Sequence, residues 1–263
     1  TVKVYEGSVL LGETTVDGEG NWSFTPTTPL SEGAHSLTAT VTTEATGESE
    51  HSSAFDFSID ITVPNKPLIE SISDDVGGSQ GQLVNGQDTD DTTPTLAGKA
   101  EAGSTVRIYD NDSLLGSVVA DANGNWNFTP TTPLINGKHE FTVTAVDKAG
   151  NVSQPSDAFA INIDTIAPDR PVILGAYDDQ GDVHGDLQSG AITDDAKPVL
   201  NGTAEPNTTV VIKDKGVEIG RAPVDADGKW SFEPTTPLLI GKHEITVEAV
   251  DKAGNTSKPS DRF

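Results

Sequence analysis

The sequence predicts an all-β protein built from several small sandwiches in series. The chain repeats itself with a shift of 104 residues, and every repeat contains short apolar runs separated by turn residues. No helical periodicity competes with these runs. Hydrophobic residues make up 34% of the chain and aromatic residues 5%, a content that suits several small cores better than one large core.

The repeat is clearest in one aromatic motif. Residues 20–24, 124–128 and 228–232 read Gly-x-Trp-x-Phe and align without a gap under this shift. A period near 100 residues is typical of a domain that folds by itself, so each unit is expected to have its own core. We therefore predict three units, at residues 1–64, 65–167 and 168–263, joined by stiff linkers at 63–67 and 165–171 in which proline fixes the backbone.

The ends of the chain fall inside the repeat. Thr1 aligns with Thr105, and Phe263 aligns with Phe159. The first unit is therefore expected to lack its opening strands and the last unit most of its closing strand, as in an excerpt from a longer array.

The middle unit shows the strand pattern best. Its extended runs lie at about residues 68–72, 96–100, 105–109, 114–120, 126–128, 140–146 and 159–163. In the run from His139 to Val146, apolar and polar residues alternate, as in a half-buried antiparallel strand. Roughly seven strands in about 100 residues predict an immunoglobulin-like β-sandwich. Long polar connections at 74–93 and 178–197 need a reason to stay ordered, and a bound cation would supply one.

Charge and composition restrict the partners. Lys and Arg number 16 against 41 Asp and Glu, a formal net charge of -25 that would repel nucleic acid and anionic lipid. Cysteine is absent from the sequence, so neither a disulfide framework nor a cysteine zinc site can form. No apolar run approaches the ~20 residues that a membrane-spanning helix needs, so membrane insertion is not expected.

Three motifs together resemble a known family. Residues 124–128 read Gly-Asn-Trp-Asn-Phe, residues 147–151 Asp-Lys-Ala-Gly-Asn, and residues 163–168 Ile-Asp-Thr-Ile-Ala-Pro. These are similar to the bacterial immunoglobulin-like repeats of giant type I-secreted non-fimbrial adhesins. The resemblance implies an extracellular, monomeric rod on the bacterial surface, with calcium between neighbouring domains and host glycans bound through distal domains. The first unit departs from the pattern at residues 43–47 and 60–64.

Acidic residues concentrate where the predicted chain path brings neighbouring units together. Calcium takes about six to eight oxygen ligands, and an unneutralised carboxylate cluster repels itself, so a divalent ion would stabilise such a junction. The predicted ligands are Asp60, Asp74, Asp75, Asp90, Asp91, Asp121, Asp147, Asp164, Asp178, Asp179, Asp225 and Asp251. Structural alternatives stay open: Asp121 and Asp225 also suit tight turns, and Asp147 and Asp251 also suit strand connections. A solvated acidic loop is the alternative for Asp74, Asp75, Asp164, Asp178 and Asp179.

The sequence favours a structural role over catalysis. His35, His139 and His243 recur at the start of one strand and are interpreted as structural, and Trp22, Trp126 and Trp230 as core residues. Neither a nucleophile motif, a metal-binding histidine pair nor a phosphate loop is present, so an enzyme is not expected. The favoured function is a stalk that projects a binding region and is stiffened by calcium. The alternative is a calcium-dependent carbohydrate- or protein-binding module whose binding face is the 74–93 connection.

Overall fold

The computed structural model describes residues 1–182 and 184–263. Within these ranges it consists of strands, turns and irregular segments, which confirms the predicted all-β class. No helix in the described part of the chain is long and apolar enough to cross a membrane. The strands form separate groups that follow one another along the chain.

The first group is a single sheet. Its strands are β1 (Val2–Glu6), β2 (Val9–Thr14), β3 (Gly33–Thr43), β4 (Gly47–Glu48) and β5 (Phe55–Ile59). The order is β2-β1-β3-β4, and β5 pairs with β3. Val2 and Val4 are buried, whereas Phe55 is 70% exposed. Among the described residues no second sheet packs against this one, so the group buries few apolar side chains.

The second group is a two-sheet sandwich. Its strands are β6 (Leu68–Asp74), β7 (Gly81–Leu83), β8 (Gln87–Thr89), β9 (Thr95–Lys99), β10 (Thr105–Asp110), β11 (Ser113–Val119), β12 (Asn125–Phe128), β13 (Gly137–Val146) and β14 (Phe159–Ile163). One sheet has the order β11-β10-β13-β14-β8 and the other β12-β9-β6-β7. Ile72, Leu96 and Trp126 from one sheet meet Ile108 and Phe141 from the other in a shared core. The alternation in β13 buries His139, Phe141, Val143 and Ala145, the side predicted to face inward.

The third group repeats this plan. Its strands are β15 (Val172–Asp178), β16 (Gly185–Leu187), β17 (Val199–Thr203), β18 (Thr209–Asp214), β19 (Val217–Pro223), β20 (Lys229–Phe232) and β21 (Ile245–Val250). The sheets have the orders β16-β15-β17-β20 and β19-β18-β21. Leu200, Ile212, Trp230 and Val247 lie in the core between them.

The groups share little surface with one another. The chain exposes 15563 Å². A single globule of 27.4 kDa would expose about 11,000 Å², and separate globules of a third of that mass about 15,000 Å² in total. The molecule is therefore a series of bodies that touch over narrow junctions.

The structure differs from the sequence interpretation at two places. Trp22 was predicted to be a core residue, but it is 46% exposed, because the first group has no second sheet for it to face. The 74–93 connection was predicted to be a long polar loop, but it contains β7 and β8. Strand β8 pairs in parallel with β14, so the sheet itself orders this segment.

Candidate cation sites at the unit junctions

An asparagine side chain crosses the junction between the second and third units. The Nδ2 atom of Asn255 donates to the backbone oxygen of Asp164 (2.9 Å) and to the Oδ2 atom of Asp251 (2.8 Å). A Cβ atom placed on Gly254 would lie 3.1 Å from the side chain of Ser79, so the 74–93 segment of the second unit approaches loop 251–255 of the third. Asp164, the 74–93 segment and loop 251–255 therefore lie together at this junction.

The junction between the first and second units has the same hydrogen bond. Asn151 Nδ2 donates to the backbone oxygen of Asp60 (3.0 Å) and to Asp147 Oδ2 (2.8 Å). Asp60 Oδ1 accepts from the backbone amide of Thr62 (3.0 Å), which turns the chain into the linker. The sequence interpretation assigned loops 147–151 and 251–255 to cation binding and missed this role of the asparagine. The sequence signal for this role was that Asn151 and Asn255 occupy the same position in two repeats.

Basic residues fix each linker to the unit that follows it. Lys66 Nζ lies 2.7 Å from Asp157, and Arg170 Nη2 lies 2.7 Å from Asp261. Arg170 Nε also donates to the backbone oxygen of Pro259 (2.5 Å). These pairs are related by the 104-residue shift, so the linker geometry recurs.

The carboxylates of the 74–93 segment are unusually buried. Asp74 is 3% exposed and Asp91 is 1% exposed. Asp74 accepts from the amide of Val76 (2.9 Å) and the hydroxyl of Thr89 (2.5 Å), so both of its oxygens are occupied. Asp91 accepts through Oδ1 from the amide of Thr93 (2.8 Å), whereas its Oδ2 is buried without a hydrogen-bond partner in the described residues.

Asp90 is the acid of this segment whose pKa is raised. Its Oδ1 is also buried and has no partner among the described atoms. Burial, followed by the charge of Asp74 and a smaller contribution from Asp251, raises the pKa of Asp90. Asp251 belongs to the next unit, and the approach of Gly254 to Ser79 brings its loop beside the segment that holds Asp90.

Four other predicted ligands are occupied by their own loops. Asp121 Oδ1 accepts from the amides of Asn123 and Asn125 at 2.8 Å, and hydrogen bonds from Asn125 lower the pKa of Asp121. Asp225 makes the same turn, accepting from backbone amides at 2.9 and 2.8 Å. Asp147 and Asp251 accept from amides of their own loops, and the side chain of Asn151 is the main cause of the lowered pKa of Asp147. These are the contacts expected of aspartates that form tight turns or strand connections.

The far end of the third unit repeats the acidic segment. Asp178 is buried and accepts from the hydroxyl of Thr193 (2.5 Å), the main cause of its lowered pKa. Asp75 and Asp179 are exposed. The structure adds Asp194 and Asp195, which the sequence interpretation missed although they lie 104 residues after Asp90 and Asp91. Asp195 Oδ2 is buried without a partner in the described chain, as Asp91 Oδ2 is.

The oxygen atoms of these aspartates are ligands that a hard cation prefers, although the side chains do not converge on one position. Among the described residues, no three acidic or histidine side chains are close enough to form a metal cluster by themselves. Calcium also accepts backbone carbonyls and water as ligands, so carboxylates need not complete its shell. The unpaired buried oxygens of Asp90 and Asp91 are the observation that fits a cation, since an unpaired buried carboxylate oxygen is costly.

The comparisons with known proteins define the class. The bacterial Ig-like domain family matches at residues 1–61, 67–165 and 170–263, so the chain belongs to this family. Exoglucanase B of Cellulomonas fimi is 27% identical over 98% of this chain, which spans 22% of that enzyme, about a fifth of its length.

Several solved structures are similar in fold. A tetra-tandem repeat from the extending region of a large adhesion protein is 17% identical, covers 98% of this chain and 64% of its own, and has a TM-score of 0.31. Fibronectin(III)-like modules of Clostridium thermocellum CbhA are 19% identical over 67% of this chain and 86% of theirs, with a TM-score of 0.43. Titin domains A168–A170 are 12% identical, cover 100% of this chain and 87% of their own, and have a TM-score of 0.40. Likenesses this distant say nothing about what the chain binds.

Proposed function

We propose that this chain is a stalk segment of a secreted bacterial surface protein, in which calcium between neighbouring units limits their relative motion. Tandem Ig-like units that match one family along nearly the whole chain support a spacer role. The chain's partners would be its own neighbouring units, and contact with a host surface or its glycans would belong to other parts of the protein. The resemblance to type I-secreted adhesins supports an extracellular location.

The observation that carries the calcium proposal is the pair of unpaired buried oxygens on Asp90 and Asp91, in the segment that approaches the Asp251 loop of the third unit. Like charges in a partly buried site repel one another, and this repulsion opposes the approach of the two units. A divalent cation would convert this repulsion into attraction between the units. Asp164 would add its backbone or side-chain oxygens from the end of β14, and waters would complete the shell.

Calcium titration and solution scattering test this proposal together. The whole chain is titrated with CaCl₂ by calorimetry, and small-angle X-ray scattering is recorded in calcium and in EGTA. We expect heat of binding and a flexibility that rises in EGTA, because the acidic junction then repels itself. In Asp90→Asn/Asp91→Asn the scattering should be the same in both buffers.

The matched control is Glu70→Gln, an exposed acid on β6 of the same unit that is not a predicted ligand. It should bind calcium as the unaltered chain does. If the unaltered chain gives neither heat nor a change in scattering, calcium does not bind at this junction and the stiffening proposal is wrong.

A second candidate rests on the relative in Cellulomonas fimi. A match over 98% of this chain to part of an exoglucanase is consistent with spacer units inside a secreted polysaccharide-degrading enzyme. Ig-like repeat domains are typically non-enzymatic, so catalysis would belong to the remaining part of such a protein. Binding of the isolated chain to insoluble glucan or to a glycan array would favour a carbohydrate-binding module over a spacer, and absence of binding would favour the spacer.

A further inference from the structure

Each unit contains a histidine whose two ring nitrogens both contact oxygen. His35 lies 2.5 Å from Glu6 through Nδ1 and 2.7 Å from the backbone oxygen of Ser31 through Nε2. The corresponding contacts are 2.7 Å to Asp110 and 2.7 Å to the Ile135 oxygen for His139, and 2.8 Å to Asp214 and 2.7 Å to the Leu239 oxygen for His243. The sequence interpretation of these histidines as structural residues agrees with this geometry.

The identity of the partners determines the protonation state. A backbone carbonyl and an ionised carboxylate can only accept hydrogen bonds, whereas a neutral imidazole has a single N–H donor. A neutral ring would therefore place a nitrogen lone pair against an oxygen lone pair at one of its two short contacts. Only the imidazolium ion, with a proton on each nitrogen, satisfies both contacts while the carboxylate stays ionised.

A protonated carboxylic acid beside a neutral ring is the alternative, and the third unit argues against it. Asp214 accepts from His243 through Oδ2 and from the backbone amide of Glu244 through Oδ1 (3.0 Å). Burial opposes the charge, but these hydrogen bonds outweigh it and lower the pKa of Asp214. The carboxylate form is therefore the stable one, and the proton resides on the histidine.

The rings of His35 and His139 are shielded from water, whereas that of His243 is partly exposed. The side chains of His35 and His139 are 4% and 6% exposed, and that of His243 is 24% exposed. Phe57 stacks on His35 and Phe141 on His139. The charged groups that contact or act on these rings are Glu6 for the first ring, Asp110 for the second, and Asp214 and Lys215 for the third. The charged residues next to His139 and His243 along the chain pair with other side chains: Lys138 with Glu140, and Glu244 with Lys242 and Arg262.

We infer that the first and third units hold this histidine as an imidazolium ion that ties the loop before one strand to the end of a neighbouring strand. In the third unit the tie joins the Leu239 carbonyl, in the loop before β21, to Asp214 at the end of β18. The charge-assisted contacts at both nitrogens fix the loop and the strand end together. Deprotonation removes one donor, so the tie is a pH-sensitive element repeated along the chain.

The direction of the pH dependence follows from the shifts. Backbone and carboxylate hydrogen bonds raise the pKa of His35, and chiefly the contact with Asp214 raises that of His243. A raised folded-state pKa gives stability that is complete below the unfolded value of about 6.5 and is lost as pH rises through the folded value. The lowered pKa of Asp214 acts in the opposite direction, because its contribution is lost only when pH falls through its folded value. The tie is therefore strongest in mildly acidic solution.

Nitrogen-edited NMR of the whole chain tests this inference. At pH 7.5 we expect His35 and His243 to carry protons on both ring nitrogens. Asp214→Asn supplies an amide donor to Nδ1, so His243 should become singly protonated in that variant. Asp227→Asn, on an exposed turn of the same unit, is the matched control and should leave His243 unchanged.

Thermal unfolding provides the second measurement. Asp214→Asn should reduce the fall in melting temperature between pH 6 and pH 9 relative to the unaltered chain. If Asp214→Asn does not fold, the spectrum of the unaltered chain still decides the question. Singly protonated rings of His35 and His243 at pH 7.5 in the unaltered chain would overturn the inference.

Discussion

The equivalent tryptophans of the three units should differ sharply in what they contribute to stability. Trp126 and Trp230 are each 3% exposed, whereas Trp22 is 46% exposed. A buried tryptophan removes up to about 250 Å² from water, worth about 6 kcal/mol as an upper limit, and measured Trp→Ala costs in cores are about 3–5 kcal/mol. We expect Trp126→Ala and Trp230→Ala to fall in that range and Trp22→Ala to cost less than about 2 kcal/mol.

Native-state hydrogen exchange resolves the cost unit by unit. Every 1.4 kcal/mol is a tenfold change in an equilibrium constant, so a cost of about 3–5 kcal/mol in Trp126→Ala should lower the protection of the β13 amides by about 10² to 4 × 10³-fold. The amides of β18, in the third unit, should be unaffected because the two cores are separate. Trp126→Phe is the matched control, since it keeps an aromatic ring and removes an indole N–H that is buried without a partner among the described residues.

Two outcomes would refute this reasoning. If Trp22→Ala lowered the protection of the first unit by as much as Trp126→Ala lowers that of the second, the first sheet would have a core that the structure does not show. If Trp126→Ala cost less than about 1 kcal/mol, the tryptophan would not anchor the sandwich.

Two further predictions concern packing and the junction. Gly98 faces Trp126 and a backbone oxygen of β6 so closely that a Cβ atom does not fit, so Gly98→Ala should destabilise the second unit by about 1–3 kcal/mol in urea unfolding, whereas Gly78→Ala, in open space, should be neutral. Asn255→Ala removes the amide that binds the Asp164 carbonyl, so paramagnetic or fluorescence distances between the second and third units should broaden. Lys252→Ala, in the same loop, should leave them unchanged, and equal broadening in both variants would contradict the assignment.

The strands with strong local patterns were predictable, and those held by distant contacts were not. The run at 140–146 alternates apolar and polar residues, and β13 covers it from Gly137 to Val146. Strands β7 and β8 have three residues each and a polar sequence, and β8 exists because β14, more than 70 residues later, pairs with it. Local sequence cannot report such a partner. Trp22 has the same motif as Trp126 but a different environment, for the same reason.

The sequence predicted where acidic residues concentrate, but it did not predict the hydrogen bonds that join the units. The repeat and the aspartates at strand ends identified which segments meet at the second junction. The Asn151 and Asn255 bridges were missed because an amide has no charge to attract notice, and its acceptor belongs to another unit. Asp194 and Asp195 required only that the 104-residue shift be applied to Asp90 and Asp91.

The strength of each junction contact explains why the carboxylates matter. The linker ion pairs are exposed, with Asp157 at 90% and Asp261 at 94%, and exposed pairs contribute about 0–1 kcal/mol. The asparagine bridge adds one hydrogen bond, typically about 1 kcal/mol. Contacts this weak select an orientation without fixing it, and the like charges of Asp90 and Asp251 oppose it. The bridge and the linker pair recur at both junctions, but Asp90 and Asp251 belong to the second, so the proposed ion would stiffen the chain there.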